Sequence, residues 1–386
     1  MKHAEGQELS ECKKSGASSR FVLNGENSLA FACKKAEAFL TSCGIEDAAV
    51  DAWLLLEYVT GISRAAYLAD RDNCMSEEQR DAYAALVDRR GAHIPLQHLT
   101  GEQEFMGMPF LVNEHVLIPR QDTETLVELA LAKLEQLAAA GMESGQILQE
   151  SVQNAPADGS IRESMQKALT EIQVLDLCTG SGCIAVSLTK LWERHYGKTS
   201  WQPRQESPTD RNSCRPRQEY QFGQTAAGSL RIIASDISEK ALIVARENAR
   251  RLQADVQFVR SDLFSAFCTR KLNKRDFSTF HMIVSNPPYI RSSVIEELSE
   301  EVRAHEPRMA LDGGEDGLEF YRRIIRESRE YLLPGGWLLL EIGFDQREAV
   351  SELMRQNGFL TVQVAKDLPG HDRVVSGQMP LCECVG

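Results

Sequence analysis

The sequence contains no apolar run near the ~20 residues that a membrane-spanning helix needs. Its first twenty residues, MKHAEGQELSECKKSGASSR, also lack the apolar stretch of a secretory signal. Hydrophobic residues make up 42% of the 386 residues and charged residues 26%, which is ordinary for a soluble globular protein. We therefore predict a soluble, cytoplasmic protein that does not associate with membranes.

Paired cysteine motifs are also missing. None of the ten cysteines forms a CxxC pair, and Cys382 and Cys384 form only a lone CxC. Disulfide frameworks and structural zinc sites use repeated, closely spaced cysteines, so the spacing predicts reduced thiols and no metal site. The formal net charge of −13 disfavours wrapping of a long nucleic acid, although it leaves room for a local basic face.

The N-terminal part of the chain is patterned as helices. Between residues 26 and 92 apolar residues recur every three or four positions, with Gly44 and Gly61 placed to end helices and Ser76 placed to begin one. These helices carry no catalytic constellation, which favours a role in binding the substrate. We predict a disordered tail at 1–25, a helical domain at 26–92 and a β-hairpin linker at 93–120.

The remainder, 121–386, is predicted to be one catalytic domain. It opens with a strong helix signal in which Asp122 can serve as the N-cap. Two polar, turn-rich stretches, about 141–168 and 193–229, have little periodicity and are predicted to be mobile surface inserts.

A glycine-rich turn between a strand and a helix is the first sign of a cofactor site. The strand is predicted at Val174–Leu177 and the helix begins near Cys183. Gly180 and Gly182 allow a ligand to approach the backbone, and the helix N-terminus favours negative charge. This pattern alone is weak, because many nucleotide-binding folds use such turns.

Two acidic residues at later strand ends strengthen it. Asp236 ends the next strand, where a carboxylate can accept hydrogen bonds from both ribose hydroxyls. Asp262 ends a third strand, where an adenine amino group could be read, or where a carboxylate could simply complete a turn.

The fourth strand runs through Met282 and Val284 and is followed by Asn286, two prolines and Tyr289. The prolines have no N–H to donate, so the strand must stop there. Strand ends of an open α/β sheet meet at a crevice, and Asn286 is therefore expected to face the cofactor.

In this order, DLCTGSG, ASD, SDLF and NPPY resemble the motifs of a class I S-adenosylmethionine-dependent methyltransferase. HLTGEQEF, LIPRQDTE, EPRMALDGGEDGL and DLPGHDRVV are similar to those of the peptide chain release factor glutamine methyltransferase family. The resemblance covers the chain from about Ser28 to Met379, outside the two inserts. It implies a Rossmann-like α/β fold with a seven-stranded sheet closed by a β-hairpin, and a small N-terminal helical domain.

The resemblance also implies the reaction and its residues. A methyl group would pass from S-adenosylmethionine to the side-chain amide nitrogen (N5) of the glutamine in the GGQ motif of class I release factors. Asn286 and the Pro287 carbonyl would each accept one N–H of that amide, Pro288 would fix the backbone and Tyr289 would lie against the flat amide. The residues expected to bind the cofactor are Cys178, Thr179, Gly180, Ser181, Gly182, Asp236, Asp262, Leu263 and Asn286.

Some positions depart from the family pattern. Cys178 stands where the first glycine of the cofactor loop is common, which is tolerable if its φ is negative. Leu263 replaces a frequent aromatic residue and Gln121 a proline. Arg120, Thr123 and Glu124 fit either an entrance to the site or a helix start, and the loop Glu306–Leu318 fits either a structural turn or a substrate lip.

Two other functions remain open from the residues. An N6-adenine methyltransferase of DNA or RNA can use the same strand-end residues on an exocyclic amine, although it calls for a basic channel. The second alternative is a regulator that binds the cofactor without catalysis, but such a protein would not need all four residues of the NPPY motif. The expected oligomeric state is a monomer.

Overall fold

The computed structural model describes residues 20–23, 28–153, 171–196, 229–267 and 279–381. The chain divides into two compact units between Thr100 and Gly101. Within the described residues, no helix combines the length and the hydrophobicity that a membrane span requires.

The first unit is helical, as its periodicity predicted. Ser76 caps its fourth helix in a full capping box with Gln79, and Gly61 ends the second helix with a left-handed φ of 68°. Leucine, alanine and aromatic side chains from these helices form a single buried core. The helices are α1 Leu29–Ser42, α2 Ala48–Thr60, α3 Arg64–Ala69, α4 Glu77–Gly91 and α5 Leu96–Thr100.

Two predicted boundaries of this unit need correction. Phe21 and Leu23, inside the stretch predicted to be a disordered tail, are buried in the helical core, and the Phe21 amide donates to Asp88 at 2.9 Å. At the other end, α5 lies within the predicted linker 93–120, and its Leu99 is buried in the same core. Apolar burial therefore extends the unit in both directions. The rest of the predicted tail lies outside the described residues, apart from residue 20.

The second unit begins with the hairpin β1 Glu102–Phe105 and β2 Met108–Leu111, which pair antiparallel. A 3₁₀ turn, Gln121–Thr123, then leads into α6 Glu124–Gln153. Asp122 does not take the predicted capping role, because its carboxylate forms an ion pair with Arg373 at 2.9 Å.

The predicted inserts are described only at their edges. The helix α6 continues to Gln153, so residues 141–153 of the first predicted insert are helical. The remainder of that insert, and residues 197–228 of the second, lie outside the described residues.

A seven-stranded sheet forms the centre of the second unit, as predicted. Its strands are β3 Glu171–Leu177, β4 Ser229–Asp236, β5 Val256–Arg260, β6 Phe280–Ser285, β7 Leu332–Glu341, β8 Leu360–Lys366 and β9 Asp372–Gln378. The spatial order is β5-β4-β3-β6-β7-β9-β8, and only β9 runs antiparallel to its neighbours. The β8–β9 hairpin therefore closes one edge of a sheet that is otherwise parallel.

Helices complete the unit and bury both faces of the sheet. The longer ones are α7 Cys183–Tyr196, α8 Glu239–Leu252, α11 Glu319–Ser328 and α12 Arg347–Gln356, and two short helices are α9 Glu300–His305 and α10 Arg308–Leu311. Two separate hydrophobic clusters contain alternate residues of the central strands, such as Val174 in one and Leu175 in the other. Burial on both faces explains why these strands read as continuous apolar runs.

The strand order places a crevice between β3 and β6. The connection from β3 leads to β4 on one side, whereas β6 and β7 continue the sheet on the other side. Ligands of open α/β sheets bind outside the carboxyl ends of the strands at such a reversal point. The predicted glycine turn and Asn286 directly follow these two strands.

Candidate active site

A cavity of about 430 Å³ lies at the carboxyl edge of the sheet. Residues that follow β3, β4, β5 and β6 line it, together with the segment before α6 and part of the loop around α10. Residues distant in sequence therefore meet at one place because parallel strands end at the same edge. The predicted site residues in its wall are Cys178, Thr179, Gly180, Ser181, Asp236, Asp262, Leu263, Asn286 and Pro288.

The glycine turn after β3 has the conformation that its two glycines allow. Gly180 has a φ of 55°, and a Cβ placed on it would meet no atom within 4 Å, so its backbone is open to the cavity. Gly182 has a φ of 80°, and a Cβ there would lie 3.1 Å from the Cβ of Ala245 on α8. Gly182 does not line the cavity: its lack of a side chain lets the turn before α7 approach α8 closely.

Asp236 connects the end of β4 to this turn. Its Oδ2 accepts the amide of Gly180 at 3.0 Å and its Oδ1 accepts the amide of Ser238 at 2.8 Å. Burial raises the pKa of this carboxyl, while these amides oppose the rise. Each carboxylate oxygen can accept more than one hydrogen bond, so both can also receive a ligand hydroxyl.

Asp262, the second predicted carboxylate, has a partner that the sequence did not indicate. Arg323 on α11 donates to Asp262 at 2.8 Å, and both residues line the cavity. Leu263 is buried, and Phe320 from α11 adds an aromatic ring to the wall. An aromatic side chain is therefore available, although it comes from a different element than the family pattern suggested.

Cys178 does not meet the condition set from the sequence. Its φ is 59°, in the left-handed region, whereas a negative φ was expected. The backbone turns here so that the amide of Thr179 can donate to the carbonyl of Ser235 at 3.0 Å on the neighbouring strand. The side chain is half-buried, and burial raises the pKa of its thiol. The turn thus holds a conformation that costs about 1–2 kcal/mol for a residue with a Cβ.

Asn286 leaves β6 at the edge of the cavity, and its amide group is held from behind. Its Nδ2 donates to the hydroxyl oxygen of Thr123 at 3.2 Å. Glu341, the last residue of β7, lies beside these two side chains, and both act to lower the pKa of its carboxyl. Glu341 is only 1% exposed, and burial raises its pKa to about 7.

The rest of the NPPY segment is fixed by Gln346, which precedes α12, and by the loop that follows α10. The side chain of Gln346 donates to the carbonyl of Tyr289 at 3.0 Å. A Cβ on Gly313 would lie 2.7 Å from the Cα of Tyr289, and one on Gly317 would lie 2.5 Å from its carbonyl oxygen. Pro287 and Tyr289 do not line the cavity, and the Tyr289 side chain packs against the core cluster of one sheet face.

The two motifs with undecided roles meet at the cavity wall. Arg120 forms an ion pair with the buried Glu306, 186 positions later in the chain. Thr123 also lines the cavity, whereas Glu124 accepts the amide of Met106 at 2.7 Å and so fixes the β1–β2 turn. The loop Glu306–Leu318 contributes Pro307, Met309 and Ala310 to the wall, while its glycines pack on Tyr289. The loop is therefore a structural turn that also forms part of the cavity wall, and its role as a substrate lip stays a prediction.

A fully buried asparagine was not identified from the sequence. Asn248 on α8 exchanges two hydrogen bonds with the backbone of Leu111, at 2.7 and 3.0 Å, and donates to the carbonyl of Ser181 at 2.9 Å. It therefore attaches the β1–β2 hairpin to the glycine turn. Its position in an amphipathic helix gives no local signal for this contact.

Comparisons with known families agree in both halves of the chain. The family described as "PrmC N-terminal domain" matches residues 32–101. The family described as "RMKL-like, methyltransferase domain" matches residues 165–301.

Curated relatives extend the match over most of the chain. A release factor glutamine methyltransferase of Geobacter sulfurreducens is 33% identical over 341 residues, covering 88% of this chain and 93% of the relative. One of Agrobacterium fabrum is 32% identical, covering 87% of this chain and 92% of the relative. A solved protein-(glutamine-N5) methyltransferase (release factor-specific) of Alicyclobacillus acidocaldarius is 24% identical, covers 68% of this chain and 94% of that one, and has a TM-score of 0.30.

Proposed function

Because this chain belongs to the release factor glutamine methyltransferase family, we propose that it methylates the glutamine side-chain amide in the GGQ motif of class I peptide chain release factors. The methyl donor is S-adenosylmethionine and the acceptor atom is N5. The observation that carries the proposal is that Asp236, Asp262 and Asn286, from three strand ends, line a single cavity.

The cavity wall suits this cofactor. The half-buried carboxylate of Asp236 already accepts hydrogen bonds from two backbone amides, and it can also accept one from each of the two ribose hydroxyls. The open backbone at Gly180 leaves room for the methionine end, and the buried Oγ of Ser235, which has no partner among the described residues, can bind a polar group. Asp262 can accept from the adenine amino group as well as from Arg323, with Leu263 and Phe320 beside the ring. When bound, the cofactor supplies a methyl group on a positively charged sulfur.

The acceptor nitrogen is a weak nucleophile, because its lone pair is delocalised into the glutamine carbonyl. The Asn286 side-chain oxygen accepts one N–H of the substrate amide. The carbonyl of Pro287, which lies between the two cavity-lining residues Asn286 and Pro288, accepts the other, so the nitrogen is aimed at the methyl group. Both acceptors also stabilise the positive charge that develops on nitrogen as the new N–C bond forms. The methylated amide then gives up one proton to water, so a strong general base is not needed.

The two units divide the work in this proposal. The helical unit, which contains residues 32–100 of the family match at 32–101, binds the body of the release factor. The second unit performs the transfer. The segments that line the cavity before α6 and after α9 receive the loop that carries the glutamine.

The test is a methyl-transfer assay with a radiolabelled donor and three acceptors offered separately. These are a purified class I release factor, the same release factor with its GGQ glutamine changed to alanine, and duplex DNA that contains adenine. Label is expected on the first acceptor alone. Label on DNA without label on the release factor, or equal label on the alanine variant, would overturn the proposal.

A further inference from the structure

Glu341 lies directly behind the NPPY segment and is not part of the proposed transfer. Ser285 and Leu340 are paired in the parallel β6–β7 ladder, so the next residues, Asn286 and Glu341, leave the sheet side by side. Glu341 is 1% exposed, and its Oε2 has no hydrogen-bond partner among the described residues. A buried carboxylate with an unpartnered oxygen is costly, so its surroundings need an explanation.

The neighbouring cation, Arg373, does not explain how this buried carboxyl is satisfied. Arg373 lies close enough to influence the pKa of Glu341, but its guanidinium is committed elsewhere. It contacts Asp367 at 3.0 Å and Asp122 at 2.9 Å. The polar side chains beside the Glu341 carboxyl are instead those of Thr123 and Asn286, and both act to lower its pKa.

These contacts determine how the Asn286 amide is turned. An amide presents an oxygen on one side and an NH2 group of nearly the same shape on the other, and its neighbours decide between the two orientations. Behind Asn286 stand the Thr123 hydroxyl, which accepts from Nδ2 at 3.2 Å, and the Glu341 carboxyl. The NH2 group can satisfy both. Above the pKa of Glu341, about 7, a rotated amide would bring its oxygen against a carboxylate.

We propose that Glu341 is a positioning residue that, together with Thr123, holds the Asn286 amide with its NH2 group inward and its oxygen toward the methyl acceptor. This inference rests on the proposed function. Without that constraint, the Asn286 amide would be rotated in part of the molecules. It would then present its own NH2 group, a donor, to the N–H of the methyl acceptor. The transfer step would slow, while binding of either substrate would change little.

Two substitutions at one position separate orientation from bulk. Glu341→Gln keeps an oxygen that can accept from Thr123 and Asn286, whereas Glu341→Met fills a similar volume and accepts nothing. We expect Glu341→Met to lower the single-turnover rate at saturating substrates by about 30- to 300-fold. KM for the release factor should stay within about threefold, since Glu341 touches neither substrate. Glu341→Gln should keep the rate within about tenfold of the wild type.

A reciprocal exchange tests the same contact in a second way. Asn286→Asp puts a carboxylate beside Glu341 and removes the donors. In the double variant Asn286→Asp/Glu341→Gln, the introduced glutamine side chain can donate to the inner oxygen of the introduced aspartate. We expect the double variant to be faster than Asn286→Asp by about tenfold or more, because directly interacting residues are not additive.

A readout without turnover completes the experiment. With 15N-asparagine labelling, the side-chain NH2 signal that Asn286→Ala removes should be protected from hydrogen exchange in the wild type and should lose protection in Glu341→Met. As the matched control, Ser376→Ala removes a buried hydroxyl from the neighbouring strand that has no hydrogen-bond partner within the described part of the chain. It should change neither rate nor protection.

The outcomes distinguish the two proposals. A wild-type protein that does not label the release factor contradicts the proposed function, whereas the protection measurement still tests the position of the amide. If the wild type labels the release factor and Glu341→Met transfers the methyl group equally fast, the positioning role is overturned. If Glu341→Met fails to fold, the absence of rescue in the double variant overturns it instead.

Discussion

The carboxylate of Asp236 accepts the backbone amide of Gly180 at 3.0 Å, so the end of β4 is attached to the glycine turn that follows β3. The second oxygen accepts the amide of Ser238, the residue that caps α8. One side chain therefore aligns three backbone segments at the wall of the cavity. A ligand that binds Asp236 meets a turn whose shape is already set, which reduces the entropy lost on binding.

The first prediction concerns this carboxylate. Asp236→Ala should weaken the binding of S-adenosylmethionine by about 2–4 kcal/mol, because two charge-assisted hydrogen bonds to the ribose are lost. Isothermal titration calorimetry on the purified protein measures this change. Asp316→Ala, which removes an exposed ion pair with Arg322, is the matched control and should leave the affinity unchanged. Unchanged affinity in Asp236→Ala would contradict the proposed ribose contact.

A second prediction follows from the left-handed backbone at Cys178, whose φ is 59°. Cys178→Gly and Cys178→Ala both remove the thiol, but only glycine adopts this conformation without a steric penalty. We expect the glycine variant to be more stable than the alanine variant by about 1 kcal/mol. At an ordinary helical or extended position, glycine would be the less stable of the two. Urea unfolding of the two variants, with equal m-values, measures the difference, and a more stable alanine variant would contradict it.

The strand-end residues could be predicted from the sequence because each lies within three positions of the last apolar residue of a strand. Asp236, Asp262 and Asn286 stand at such ends, and the parallel sheet brings strand ends to one edge. The glycine turn was recognisable for the same reason, since its strand and helix are adjacent in sequence. Local sequence patterns were therefore enough to predict most of the named site residues that line the cavity.

The side chains that hydrogen-bond to those residues or hold the neighbouring loops could not be predicted in this way. Thr123 lies 163 positions from Asn286, and Arg120 lies 186 positions from Glu306. Such pairs depend on how a whole α/β unit folds, and no short pattern encodes them. The signal at Thr123 was ambiguous because a helix start favours the same residue types. Glu341 carries the same strand-end signal as Asp236, since it directly follows the apolar run Leu338–Leu340, but no local pattern shows that its carboxyl is buried beside Asn286.

The third prediction uses the pH dependence of stability at Glu341. Its pKa is raised from 4.5 to about 7 by burial, despite the nearby Arg373, while Asp122 adds to the rise. The folded state therefore holds this proton more tightly than the unfolded state between pH 4.5 and 7. Stability from this group is fully present below pH 4.5 and is lost as the pH rises to about 7.

Glu341→Gln cannot titrate and serves as the reference. The free energy of unfolding of the wild type, relative to this variant, should fall by about 3 kcal/mol from pH 4.5 to above pH 7, since each pKa unit corresponds to 1.36 kcal/mol. Subtracting the variant also removes the contribution of Asp176, which is buried and has a raised pKa of about 7. Chemical denaturation at several pH values gives the difference, and a constant difference would contradict the raised pKa.

The last prediction concerns Asn286, whose side-chain oxygen is the proposed acceptor for the substrate NH2 group. Asn286→Ala leaves the Pro287 carbonyl to hold that group alone, so the nitrogen can rotate away from the methyl donor. The loss should be felt most strongly as charge develops on nitrogen, and the single-turnover rate should fall by about 10²–10³ at saturating substrates. Release factor affinity should change little, because the helical unit is proposed to supply most of it. Calorimetry on the same preparation measures cofactor affinity, and only a modest decrease is expected where Asn286 borders the cavity. Rates near those of the wild type, from a variant that binds both substrates, would show that the amide is not gripped by Asn286.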